Sequence, residues 1–331
     1  MMRRQQAGFT LLETLVALTI LLAVAAIVMT GLTRLIRVQG TIANRTDMHT
    51  SVRSATELLE QEIGQAGSVS FGGPGTSVTM SAVAIGNSNF TLTPNPAGAT
   101  IKLFTNENLL VDDGANPEVV IVTAVGGAAN TGSAVFLNAH PANTPVYSLG
   151  AFASGVVPPT AGSANCTLPA GYIPNNLGST CTKLKLYGDL NNDGNLLYVE
   201  YTCAPGTQAA PGLLYRNQMP FDAAAKPAND NTMILLNNVL QNPNDNAGNN
   251  VPCFSYQTRN DGFGNSYVVD VAVTLTVQTQ NIDPQTHQFQ NETKALLNVS
   301  PRNVANAYNL ASVGSNNHIQ PMPGSVANLL P

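Results

Sequence analysis

Ala7-Gly8-Phe9-Thr10-Leu11-Leu12-Glu13-Thr14-Leu15 opens an apolar run that continues to Met29, and Arg3 and Arg4 stand just ahead of it. Glu13 is the one ionisable residue between Leu11 and Met29, and no proline occurs before Pro74. A run of about 20 apolar residues rising about 1.5 Å each matches a hydrocarbon layer of about 30 Å, so the stretch reads as a continuous helix crossing a membrane. Arg3, Arg4 and the amino terminus keep that end cytoplasmic, which puts the rest of the chain on the far side. A carboxylate deep in such a helix costs about 2 to 4 kcal/mol, so Glu13 needs a partner or an interfacial position. Its place near the helix N-terminus also suits a negative charge.

Two other sequence patterns fit part of this stretch. A secretory signal has an apolar core of about 7 to 15 residues and a small-residue cleavage site, for which Ala23-Val24-Ala25 would serve, but the run goes on through Ile27, Val28 and Met29. A plain signal anchor satisfies the hydropathy and leaves Gly8 and Glu13 without a reason.

The order of a short basic leader, Gly8, Phe9 and then Glu13 at the fifth position after the glycine resembles the type IV prepilin family. The resemblance implies a prepilin peptidase that cuts between Gly8 and Phe9 and methylates the new Phe9 amine. It also implies a Glu13 that neutralises the terminal amine of a neighbouring subunit, and an apolar helix that is kept after processing. The expected partners are other minor and major pilins through the helix, the peptidase and an inner-membrane assembly platform. Residues 1–8 are then a leader, 9–67 a long helix (9–30 transmembrane), 68–303 a β-rich periplasmic domain and 304–331 a loosely ordered tail.

Beyond Gly31 the apolar residues return at helical spacing at Leu32, Leu35, Ile36, Val38, Ile42, Met48, Val52, Leu58, Leu59 and Ile63, mixed with charged residues such as Arg34, Arg37, Glu57 and Glu62. The expected class is therefore α+β, with a membrane half and an amphipathic half of one helix ahead of a sheet-rich domain. Gly64 and Gly67 mark the helix stop. From Ser77 onward the period changes to two: Ser77–Ile85, Glu118–Val125, Ser133–Leu137, the hairpin Lys183–Tyr201, Gly212–Asn217 and Thr232–Leu236 read as strands. In Tyr267–Thr279 the valines 269, 271, 273 and 277 with Leu275 form a core face, and Asp270, Thr274, Thr276 and Gln278 a wet one. The Pro- and Gly-rich stretch 139–180 reads as a long loop that divides the domain into two parts. The Ala66-Gly67 end of the helix and the Arg302-Asn303 pair after the last strand resemble PilW-type minor pilins.

Charged residues make up only 10% of 331, with net charge −5, so no basic field is present to hold nucleic acid. Apolar residues at 44% argue against disorder. Cys166, Cys181, Cys203 and Cys253 all follow the membrane segment. An even number in an oxidising compartment reads as two disulfides, with Cys166–Cys181 and Cys203–Cys253 favoured by loop closure and Cys181–Cys203 as a rival across the hairpin. His49, His140, His287 and His318 are scattered and read as surface residues, and no catalytic motif is present, so no enzymatic role is expected.

Asp189-Leu190-Asn191-Asn192-Asp193-Gly194-Asn195, with Glu200 at position twelve, fits a calcium-loop pattern. Asp189, Asn191, Asp193, the Asn195 carbonyl and Glu200 would hold one structural Ca²⁺. The same residues also spell an ordinary Asn/Asp/Gly hairpin turn. The function expected from the whole is a PilW-like minor pilin that primes assembly or sits at a pilus tip. A J-type pseudopilin of type II secretion, a tip adhesin and a signal-anchored enzyme are the alternatives.

Overall fold

A computed structural model of the chain describes residues 10–98, 101–159, 177–261 and 264–331. Helix α1 (Leu11–Gln65) runs unbroken for 55 residues, or roughly 80 Å. Thr10 starts it with a capping box: its hydroxyl accepts the Glu13 N–H at 3.3 Å, and the Glu13 carboxylate accepts the Thr10 N–H at 3.4 Å. The helix ends because Gly67 takes a left-handed backbone (φ 81°). Gly67 is required twice over, since a Cβ there would sit 2.9 Å from the Phe152 carbonyl oxygen. Asn303 Nδ2 then donates to the exposed Gln65 carbonyl at 3.1 Å, so the Arg302-Asn303 pair meets the end of the helix from the far end of the domain.

Six short strands follow: β1 (Ser77–Met80), β2 (Gly86–Asn95), β3 (Asn108–Val111), β4 (Glu118–Val125), β5 (Thr131–Phe136) and β6 (Thr144–Ser148). They close a barrel in the order β1-β2-β5-β4-β3-β6, antiparallel throughout. Closure leaves no open edge, which suits strands of four to ten residues. Alternation sends Phe90, Leu92, Val120, Val122, Ala134 and Phe136 into the core, and Phe90 meets Phe136 edge to face at 6.2 Å. The Glu107 carboxyl is buried at the barrel rim, accepting from the Ser148 hydroxyl at 2.9 Å and the Phe104 N–H at 3.3 Å. Burial pushes its pKa up to about 8.

After β7 (Ala151–Phe152) come β8 (Lys183–Gly188), β9 (Leu197–Ala204), β10 (Gly212–Pro220), β11 (Ile234–Leu240), β12 (Phe254–Asn260), β13 (Ser266–Gln278) and β14 (Asn291–Val299). They form a second sheet in the order β12-β13-β11-β10-β9-β8, with β14 also on β13. The second half of α1 lies on one face, where Met48, Val52, Ala55, Leu59 and Ile63 join Leu186, Val199, Leu214, Val271 and Val273 in one core. Cys203 on β9 is bonded to Cys253 ahead of β12, which ties two strands distant in sheet order. The other favoured pair falls on Cys166, outside the described residues. On β13 the alternation holds for Val271, Val273, Leu275 and Val277, but the face expected to be wet buries Thr276 and Gln278. Asn242 lies over it, accepting from the Thr276 hydroxyl at 2.8 Å.

Glu62 is the exception in the α1 core. It is buried, accepts from the Tyr201 hydroxyl at 2.5 Å, and is gripped by both Nε and Nη2 of Arg216. Adjacent strands β9 and β10 supply these two partners, Tyr201 and Arg216 being directly paired across the ladder.

The segment expected to be a loose tail is ordered. It forms α2 (Arg302–Ser312), β15 (Ile319–Gln320) and α3 (Gly324–Leu329), and buries Val304, Ala307, Ala311, Val326, Leu329 and Leu330. β15 pairs in parallel with β7. The buried Gln320 amide accepts from the Asn108 N–H (2.9 Å) and donates to the carbonyls of Asn108 and Leu149 (2.7 Å each), capping the end of the β3–β6 pair. At the other end Lys185 Nζ donates to the Leu330 carbonyl at 2.5 Å, and burial pushes that amine down to about 8. The tail thus ties barrel to sheet.

Two predictions follow from these buried charges. Arg216→Ala is expected to cost about 3 to 5 kcal/mol, because it strands a buried carboxylate, while Glu62→Leu with Arg216→Met and Tyr201→Phe, which leaves no buried group unpaired, restores most of that loss; urea melts of wild type and both variants check it. Glu107 keeps, when folded, a proton that the unfolded chain releases near 4.5. Its contribution is complete below about pH 4.5 and is lost as pH rises through about 8, so stability falls across that window and Glu107→Gln flattens the slope.

Candidate functional site

The candidate site is the part of α1 that the domain leaves bare. From Leu11 to Arg37 every residue is exposed, including Leu11, Leu12, Leu15, Ile20, Leu21, Ile27 and Met29. Thr41 is the first buried residue of the helix. This half has the length and composition to cross a membrane. Its polar groups are satisfied within the helix: Thr14, Thr19, Thr30 and Thr33 donate their hydroxyls to the carbonyls of Leu11, Val16, Ala26 and Met29 at 2.8–2.9 Å. A helix so closed on itself carries no unpaired hydroxyl into an apolar medium. Glu13 is exposed and has the Thr10 N–H as the partner of its Oε2 through the capping box. Gly8 and Phe9 lie outside the described residues.

Where the bare half ends, the loop between β13 and β14 braces it. The Thr41 hydroxyl donates to Asp283 at 3.0 Å and Arg45 to Gln290, and His49 meets Glu292 at the start of β14. A Cβ on Gly40 would meet Pro284 Cγ at 3.0 Å, so the loop sits directly on the helix there.

The calcium-loop residues are divided between two structures. Asp189 is fully buried and its carboxylate takes three donors: the N–H groups of Asp193 (2.9 Å) and Gly194 (3.0 Å) and the Ser70 hydroxyl (2.5 Å). Asp193 accepts its own Asn195 N–H. Asn192 adopts φ 54° and Gly194 φ 82°, the backbone of a tight turn. Glu200 lies on β9, ion-paired with Lys226 at 2.7 Å and Lys183 at 3.4 Å and accepting from the Tyr198 hydroxyl at 3.0 Å. Those neighbours hold its carboxyl below the usual range against the effect of burial. Among the described residues no group of three or more His, Cys, Asp or Glu is placed to hold a metal. The five residues do not fit a calcium ion: the carboxylates at positions 1 and 12 point to separate, already satisfied sites. The turn instead docks the segment after α1, since a Cβ on Gly194 would fall 2.1 Å from the Gly72 nitrogen.

His140, read as a surface residue, is buried inside the barrel rim between two acids, with Nδ1 2.9 Å from Asp113 and Nε2 2.7 Å from Glu118. A neutral imidazole donates to only one of them, so the imidazolium satisfies both. Sequence could not announce this group, because its partners lie 27 and 22 residues away without a motif spacing.

Residues 3–29 match the family model for the prokaryotic N-terminal methylation motif, the signal of pilin-like and pseudopilin subunits. Comparison with curated proteins and with solved structures found no match.

Two thermal melts test the loop. With calcium and with EGTA the domain is expected to melt at the same temperature, and Asp189→Ala to lower stability by about 2 to 3 kcal/mol in both, because a buried charged acceptor of three hydrogen bonds is lost. A rise in Tm with calcium that Glu200→Ala abolishes would reinstate the metal.

Proposed function

We propose that the chain is a structural subunit of a type IV pilus-like filament, a PilW-like minor pilin that primes assembly or sits at the tip. The observation that carries this reading is the conjunction of the methylation motif over residues 3–29 with an apolar half-helix that its own domain leaves wholly uncovered. In the inner membrane, lipid covers that half, with the β domain on the periplasmic side; in a filament, the helices of neighbouring pilins cover it. The same surface serves both, since burial of apolar area is non-directional. Processing by a prepilin peptidase between Gly8 and Phe9 and methylation of Phe9 prepare the terminal amine. The exposed Glu13 carboxylate is the acceptor for the amine of the next subunit during assembly.

Mass spectrometry of the mature N-terminus is expected to show N-methylated Phe9, and Gly8→Leu to leave the precursor uncut. Glu13→Ala is expected to insert into the membrane as well as wild type while its co-purification with other pilins falls about tenfold or more, the loss of one charge-assisted contact. A mature chain beginning after Ala25 would sink the proposal.

A further inference from the structure

Just beyond the apolar run, α1 carries Arg34 and Arg37, exposed and without an acidic residue on the helix between Glu13 and Asp47. Among the described residues neither guanidinium has a hydrogen bond or ion pair, whereas Arg45, Arg53 and Arg216 each have one. Together with Met29, Thr30, Thr33 and Gln285 the two arginines line an open cleft of about 630 Å³. Positions 30, 33, 34 and 37 share one helix face, and Gln285 from the β13–β14 loop overhangs it. The acid nearest in sequence on that loop, Asp283, is already engaged by the Thr41 hydroxyl, the N–H groups of Gln285 and Thr286 and the Gln290 side chain. Arg45 and His287 add no negative charge, and the next acid along the helix, Asp47, lies ten residues or about 15 Å beyond Arg37.

Depth selects the ligand. Leu11 to Met29 spans roughly 28 Å, which fills the hydrocarbon layer, and Arg34 and Arg37 follow about 7 and 12 Å further up. The headgroup layer occupies about the next 5 to 8 Å. Helix side chains lean toward the helix N-terminus, here toward the membrane, and long basic side chains extend further in that direction. Both guanidinium groups thus reach the level of the lipid phosphates.

We propose that the Arg34–Arg37 face of α1, overhung by Gln285, binds the phosphate of an anionic phospholipid in the leaflet facing the β domain. This rests on the membrane-anchored reading. The site holds the β domain at a set height above the bilayer and is vacated when the helix leaves the membrane.

The test uses the full chain reconstituted in phosphatidylcholine vesicles containing spin-labelled phosphatidylglycerol or spin-labelled phosphatidylcholine. Wild type is expected to select phosphatidylglycerol about fivefold or more, and R34Q/R37Q to lose that selectivity while floating with the vesicles unchanged. Selectivity retained in R34Q/R37Q, lost equally in R259Q, whose residue lies on β12 opposite Tyr267 at the end of β13 away from the cleft, or abolished by millimolar inorganic phosphate at constant ionic strength would overturn the proposal. Failure of both proteins to float would instead strike the anchor reading.

Discussion

A carboxylate inside an apolar core is tolerable only with its partners in place, and Glu62 of α1 has them in Arg216 and Tyr201. Apolar contacts alone would let a smooth helix slide or rotate over the sheet. A slip of one turn, about 5.4 Å, would strand Glu62 and leave Arg216 facing hydrocarbon, each costing several kcal/mol. The pair therefore sets the register of helix against sheet, and that register decides how much of α1 is left bare. Thr41 is the first residue covered, so the exposed half keeps the length of a membrane span.

The rest of the domain is arranged around the upper end of that helix. Asn303 accepts the role of closing the last turn at Gln65, Gly67 lets the chain pass beneath Phe152, and the Asp189 turn receives the segment that follows. The barrel is a self-contained core, joined to the sheet by the C-terminal segment through Gln320 at one end and Lys185 at the other. These contacts join residues far apart in the chain, and they add to the direct contacts of Lys102 with Asp222 and Phe104 with Phe221.

Local patterns were legible in the sequence where one element carries its own signal. The helix from Leu11 to Gln65 follows from composition and periodicity, and β13 from strict alternation at Val271, Val273 and Leu275. Strands such as β2 and β6 are not marked in the sequence because Asn, Pro and polar residues interrupt them, and pairing with neighbours overrides weak propensity. The order of residues 302–331 was invisible for a related reason: what orders them is Asn108, Leu149 and Lys185, up to 212 residues away. The Asp189 loop is ambiguous in sequence, since acids spaced for a cation are also acids spaced for a turn. Only the lysines at 183 and 226 reveal which chemistry Glu200 serves.

The unbroken run of α1 has a mechanical consequence. With no proline before Pro74 and one hydrogen-bonded ladder from end to end, the helix contains no hinge at which tension could be relieved. A pull on its lower end is delivered along its axis to the interface between Thr41 and Ile63, which lies parallel to the load. Side chains there resist in shear, all at once, and do not peel away one after another. The Cys203–Cys253 bond keeps the sheet on the far side of that interface from spreading. The domain is thus built as a grip on a rod, strongest in the direction along which the rod is drawn.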